Sequence, residues 1–187
     1  MASTIYRSRA AQSQVRDWCD EQLAAWPVPH SQLQVETAAG LTNVVVVEPG
    51  PAASTATIVF IPGTNMAAAV SLGVMEALSL VGRLVVLDVP GQPGLSSGER
   101  PHRGRSDWYG KWLTEALTQV APEPVVVVGH SLGGAIALAC ASDHVAGRLL
   151  VSPAGLVRLR VSPLYSARRC HGYAARRSHG RNGSWTT

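Results

Sequence analysis

The chain has 187 residues, 46% of them hydrophobic and 15% charged, with 16 Lys and Arg against 12 Asp and Glu for a formal net charge of +4. That length holds one domain with a real core and is too short to predict two. The composition excludes a disordered chain, and no stretch approaches the ~18 consecutive apolar residues of a membrane span, so no membrane partner is expected.

The first seven residues, from Met1 to Arg7, lead into mixed polar and apolar sequence rather than an apolar run, so no secretory leader is predicted. Residues 8–25 place Ala11, Val15, Trp18, Cys19 and Leu23 at spacings of three and four, an amphipathic helix that Pro27 stops. Two runs at 33–37 and 44–48, joined across Gly40, read as an antiparallel hairpin. Residues 56–62 are continuously apolar, as in a strand buried on both faces of a parallel sheet. Strand and helix then alternate: helix 67–80, strand 83–87, helix 107–120, strand 125–128, helix 133–142 and strand 148–151. Such alternation predicts an α/β fold with an open, mostly parallel sheet, whose chemistry sits at the carboxyl ends of the strands. The pattern stops after Pro163. The expected organisation is an N-terminal helix over 1–27, a core over 28–163 and a patternless tail over 164–187.

Charge divides along the same line. Residues 1–150 hold nine Arg and Lys and twelve Asp and Glu, whereas residues 151–187 hold seven Arg and no acid. A basic tail can hold nucleic acid or anionic lipid, but this one has no folded partner in the sequence pattern, so no nucleic-acid partner is expected. Cys19, Cys140 and Cys170 are far apart and odd in number, which fits neither a disulfide framework nor a metal site. Two buried thiols and a stray one in a reducing cytoplasm are expected, with no metal and no cofactor.

Three strand ends carry informative turns. The most specific is Gly129-His130-Ser131-Leu132-Gly133, after an apolar run and before a helix rich in small residues. G-x-S-x-G alone is a weak match, but strand before and helix after is the context it requires. A residue on so tight a turn needs very small neighbours and projects its hydroxyl above the sheet. The following helix start leaves N–H groups free for a developing negative charge. Ser131 is therefore the predicted nucleophile, framed by Gly129, His130 and Gly133. The second turn, Pro62-Gly63-Thr64, bends sharply after a buried strand, and the N–H groups of Thr64 and Leu132 are the expected oxyanion hole. The third opens with Asp88. An Asp at the start of a Gly/Pro-rich loop commonly caps backbone N–H groups of that loop, and this structural role is preferred to that of a triad acid. His130 is expected to neighbour the site rather than act as its base, because the turn fixes its direction.

With these turns, residues 28–160 resemble the α/β-hydrolase superfamily, in particular its bacterial esterase-like and lipase-like members. The resemblance implies a small-molecule ester substrate, a triad in the chain order Ser, acid, His, and an acyl-enzyme on Ser131. It implies no cofactor. The chain departs from the pattern after Ser131. Asp143 and His144 lie one helix length, about 15 Å, from the turn and cannot partner Ser131. His171 and His179 fall in the tail, where there is no acid. The expectation is a partial fold lacking the last strands, truncated at the C-terminus, with an out-of-frame tail; a short variant with a genuine basic tail is the competing reading. An incomplete, non-catalytic fragment is the alternative function, and an uncovered strand at 148–151 is an expected edge for self-association.

Overall fold

The computed structural model describes residues 2–51 and 53–155. The predicted tail, with Cys170, His171 and His179, lies outside the described residues. In chain order the elements are β1 (Ala2–Thr4), α1 (Arg9–Ala25), β2 (Ser31–Thr37), β3 (Gly40–Val47) and β4 (Thr57–Ile61). A 3-10 turn at Ala68–Val70 leads into α2 (Leu72–Ser79), followed by β5 (Arg83–Leu87), β6 (Glu99–Pro101), α3 (Arg105–Val120), β7 (Val125–His130), α4 (Leu132–Ala139) and β8 (Val145–Val151).

Period-two alternation inside the apolar strands sorts their side chains onto two faces. Val44, Val46, Val59, Ile61, Val85 and Leu87 pack with Trp112 and Leu113 of α3 and Ile136 of α4. Val45, Val47, Ile58, Phe60, Leu84 and Val86 pack with Cys19 and Leu23 of α1 and Met75 of α2. Helices on both faces leave these central strands no solvent side, which is why their sequences are apolar without interruption. Each Val or Leu so buried stabilises the fold by about 1.5–3 kcal/mol before chain entropy is counted.

The main sheet has the order β2-β3-β5-β4-β7-β8. β2, β3 and β5 run antiparallel in turn, and β5, β4, β7 and β8 run parallel. The expected hairpin and parallel sheet are thus both present. β4 and β7 are neighbours, with Ile61 opposite Gly129, so the turns that follow them emerge side by side.

Several boundaries differ from the sequence reading. The predicted helix 67–80 is broken: the Ser71 hydroxyl donates to Ala67 O at 2.8 Å, and Ala68 N–H turns away to the Asp88 carboxylate. α4 ends at Ala139 rather than 142, and β8 starts at Val145 rather than 148. Arg148 explains the early stop, because its Nε and Nη2 donate at 2.8 Å to Ala137 O and Cys140 O, the carbonyls left open at the helix end. Trp18 was expected on the apolar face of α1 but is 43% exposed; the buried stripe is the narrower one through Cys19 and Leu23, with Val15 beside it.

β1 and β6 pair antiparallel and were not predicted. They tie the N-terminal segment to the loop before α3. Cys19 and Cys140 are both buried free thiols. Burial pushes the Cys19 thiol up to about 11, with Asp88 and Asp20 adding to the rise and Arg16 opposing it.

Candidate active site

Ser131 is the residue between β7 and α4, with φ 51° and ψ −109°. A side chain at positive φ outside the left-handed helical well costs on the order of 1–3 kcal/mol and persists only where its surroundings impose it. Here they do. Ser131 N–H donates to Val151 O at 2.9 Å, and Ser131 O accepts from Gly134 N–H at 3.1 Å and Ala154 N–H at 2.8 Å. The backbone of the serine is thus held from both sides, by its own helix and by the end of β8.

The small residues around it are required by close backbone approach. A Cβ on Gly129 would lie 2.5 Å from Gly133 O, and one on Gly133 would run into the carbonyls of Ile61 and Pro62. These contacts are with backbone, which cannot swing aside. The turn after β4 is packed equally close: a Cβ on Gly63 would sit 2.8 Å from His130 Nδ1 and 3.3 Å from Ser131 Cβ. The sequence-predicted residues Thr64, Gly129, His130, Ser131, Leu132 and Gly133 therefore meet at one place.

Thr64 and Leu132, one from each turn, both line a cavity of about 280 Å³. Among the described residues, the N–H groups of Thr64 and Leu132 meet no hydrogen-bond acceptor. The remaining walls come from residues that sequence reasoning did not single out. They are Gln92 on the loop after β5, Arg100 on β6, and Arg105 and Tyr109 on α3, with Ala135 and Ile136 of α4. Gln92 is held by accepting from Asn65 N–H at 3.0 Å and donating to Gly91 O at 3.0 Å. Tyr109 donates to Pro90 O at 3.1 Å.

A family model described as alpha/beta hydrolase family matches residues 58–187. This chain belongs to the alpha/beta hydrolase family. Among relatives, it is 32% identical over 87 residues to the pimeloyl-[acyl-carrier protein] methyl ester esterase of Aeromonas hydrophila, an alignment covering 46% of this chain and 32% of that one. The corresponding enzyme of Aeromonas salmonicida is 35% identical over 80 residues, covering 43% and 30%. The alignments thus take in about a third of the length of these two relatives. Among solved structures, carboxylesterase CesB from Bacillus subtilis superposes with a TM-score of 0.71 at 17% identity, covering 94% of this chain and 63% of that one.

An alpha/beta hydrolase serine works with an acid and a histidine; among the described residues His130 adjoins Ser131 in the turn, and neither the Asp143-His144 pair nor Asp88 is placed to complete a triad. His144 O accepts Val125 N–H at 2.7 Å, so Asp143 and His144 sit at the amino end of β7. Ser131 follows the other end of that six-residue strand, about 20 Å away at ~3.3 Å per residue. Asp88 is fully buried and already engaged: its Oδ1 accepts Ala68 N–H at 2.7 Å, and its Oδ2 accepts Leu95 N–H at 3.2 Å and Asn43 Nδ2 at 3.3 Å. Its own carbonyl accepts the Ser96 hydroxyl at 2.7 Å. This carboxylate fastens the loop after β5 to the turn after β4. His171 and His179 lie outside the described residues. No group of three or more His, Cys, Asp or Glu among the described residues could hold a metal ion, and no helix there is long and apolar enough to cross a membrane.

Proposed function

We propose that the chain is a serine hydrolase acting on small carboxylic esters through an acyl-enzyme on Ser131. The observation that carries the reading is the strained Ser131 directly before Leu132, which with Thr64 lines the cavity, the N–H groups of both being unengaged among the described residues. Ser131 Oγ attacks the ester carbonyl. The carbonyl oxygen, now an oxyanion, is held by the two N–H groups. The intermediate collapses by breaking the bond to the alcohol oxygen, which takes up the proton that Ser131 gave away. Water then cleaves the acyl-serine ester and regenerates the hydroxyl. The esterases among the relatives support carboxylic esters as the substrate class, and a cytoplasmic location is part of the same proposal.

One observation favours a second reading, a catalytically incomplete hydrolase. Asp143 and His144 sit at the wrong end of β7 to serve Ser131. Without a base, a nucleophilic serine keeps only the contribution of the oxyanion hole and of binding. Short 4-nitrophenyl esters separate the readings. Acylation should release up to one equivalent of nitrophenolate, add one acyl group to the intact mass, and vanish in Ser131→Ala. On the first reading turnover is sustained; on the second, steady turnover is very weak or absent. Rapid turnover abolished by His171→Ala or His179→Ala would show instead that the tail supplies a working base. Acylation that survives Ser131→Ala would overturn both readings.

A further inference from the structure

We propose that the cavity beside Ser131 selects esters carrying a second, anionic group, a carboxylate or a phosphate, and that Arg100 and Arg105 hold that group. The proposal rests on the reading of Ser131 as an ester-cleaving nucleophile and names the substrate class of that site.

The cavity lining has two guanidinium groups, Arg100 and Arg105, and no carboxylate. Among the described residues neither arginine pairs with a carboxylate; the ion pair found there joins Arg83 to Glu48. Each spends one donor on a backbone carbonyl. Arg100 Nη1 donates to Gly91 O at 3.2 Å and Arg105 Nε to Pro101 O at 3.1 Å. A guanidinium has five N–H donors, so most of each fork is open to an oxyanion.

Surface arginines are usually solvated and carry no specificity. Arg100 differs because its place is built. Its backbone is pinned opposite Ser3 in the β1–β6 pair, and its stem lies against the backbone of Gly91. Gly91 has φ +69°, and a Cβ there would lie 2.6 Å from Arg100 Cβ and 3.0 Å from its Cδ. Only glycine leaves room for the arginine stem in this position. The side chain is half-buried, so its charge is less screened than that of an exposed lysine or arginine. Arg105, which is exposed, lines the same cavity from the first turn of α3, as does Ser106.

The rest of the lining completes the reading. Leu132, Ala135 and Ile136 give an apolar wall for a short alkyl chain, and Thr64 and Leu132 bring the N–H groups proposed to hold the reacting carbonyl oxygen. A ligand matching this surface has an ester, a short apolar chain and an oxyanion. Arg forks fit carboxylate and phosphate alike, and the volume of about 280 Å³ limits the ligand to a small molecule or the end of a larger one.

Two measurements on the full chain test this. The first compares second-order acylation by 4-nitrophenyl hemiglutarate, its phosphonate counterpart and neutral 4-nitrophenyl butyrate. At low salt at least one anionic ester should react tenfold or more faster than the neutral one. That ratio should fall several-fold at high salt and about tenfold in Arg100→Gln and in Arg105→Gln, with Arg100→Lys keeping more of it than Arg100→Gln. The second is calorimetric binding of monomethyl glutarate and of its phosphonate analogue to Ser131→Ala, which should depend on Arg100. If no ester acylates Ser131 yet this binding persists and needs Arg100, the anion subsite stands and the nucleophile reading fails. If neutral esters acylate Ser131 but both ratios are near one, or the ratios are unmoved in a folded Arg100→Gln and Arg105→Gln, the anion proposal is overturned and the nucleophile reading stands.

Discussion

Ser131 N–H donates to Val151 O at 2.9 Å, which makes the last residue of β8 a direct support of the strained serine. The same serine is flanked by glycines whose missing Cβ atoms are replaced by neighbouring backbone. Fold and site are therefore coupled through backbone contacts, and side-chain changes far from the hydroxyl should be felt there.

Gly133→Ala should be costly, because its Cβ would enter the space held by the Ile61 and Pro62 carbonyls. A loss of about 2–3 kcal/mol is expected, in the upper range for overpacking, together with loss of Ser131 reactivity. Gly73→Ala is the contrast. Gly73 sits inside α2 with nothing within 4 Å of a new Cβ, so alanine should stabilise by about 0.5–1 kcal/mol. Denaturant melts of the two variants check both signs.

The turn at 129–133 was legible because each of its demands is local. An apolar run, two glycines around a serine and a small-residue helix stand together in the sequence. The cavity walls were not. Arg100 and Arg105 lie in a Glu-Arg-Pro-His-Arg-Gly-Arg run that reads as an exposed loop. They reach the site only because β6 pairs with β1, a three-residue pairing with no apolar alternation to announce it. A basic run opening a helix was the one available signal. The ends of α4 and β8 were misplaced for a similar reason, since Arg148 closes the helix from the next strand. Asp88 was read as a loop-holding residue from its Gly/Pro context, and its bonds to Ala68 and Leu95 are of that kind.

Asp88 should leave a signature in the pH dependence of stability. Burial pushes its carboxyl above the ordinary aspartate range, against the pull of the N–H donors of Ala68, Leu95 and Asn43. A carboxyl raised in the folded state binds its proton more tightly there than in the unfolded chain. Its contribution is therefore complete below the ordinary value of ~3.9 and is lost as pH rises through the raised one. Asp88→Ala should cost at least about 2–3 kcal/mol, because it leaves buried N–H groups unpaired. The Tm difference between the native chain and this variant should shrink as pH rises from about 4 toward the raised value. A difference that widens over that interval would contradict the assignment.

β8 is the edge of the sheet among the described residues, and one of its faces is apolar and open. Leu149 is 55% exposed, Val151 44% and, on the adjoining strand, Val126 37%. Val126 and Leu149 share a face, since Val128 pairs with Leu149 and Val126 with Gly147. Unpaired strand edges with exposed apolar residues promote association. The chain should sediment as a dimer or larger species at micromolar concentration, and Val126→Lys with Leu149→Lys should shift it toward monomer. A monodisperse monomer with an ordinary cooperative melt would rule out association through this edge.

The central claim is that the backbone geometry at 129–133 makes one serine reactive. Fluorophosphonate labelling followed by peptide mass mapping tests it most directly, because phosphonylation needs the exposed hydroxyl and the oxyanion donors but not deacylation. The account predicts a single adduct, on the peptide carrying Ser131, and none after Ser131→Ala. An adduct on another serine, labelling that persists in Ser131→Ala, or no adduct on the folded chain would contradict it.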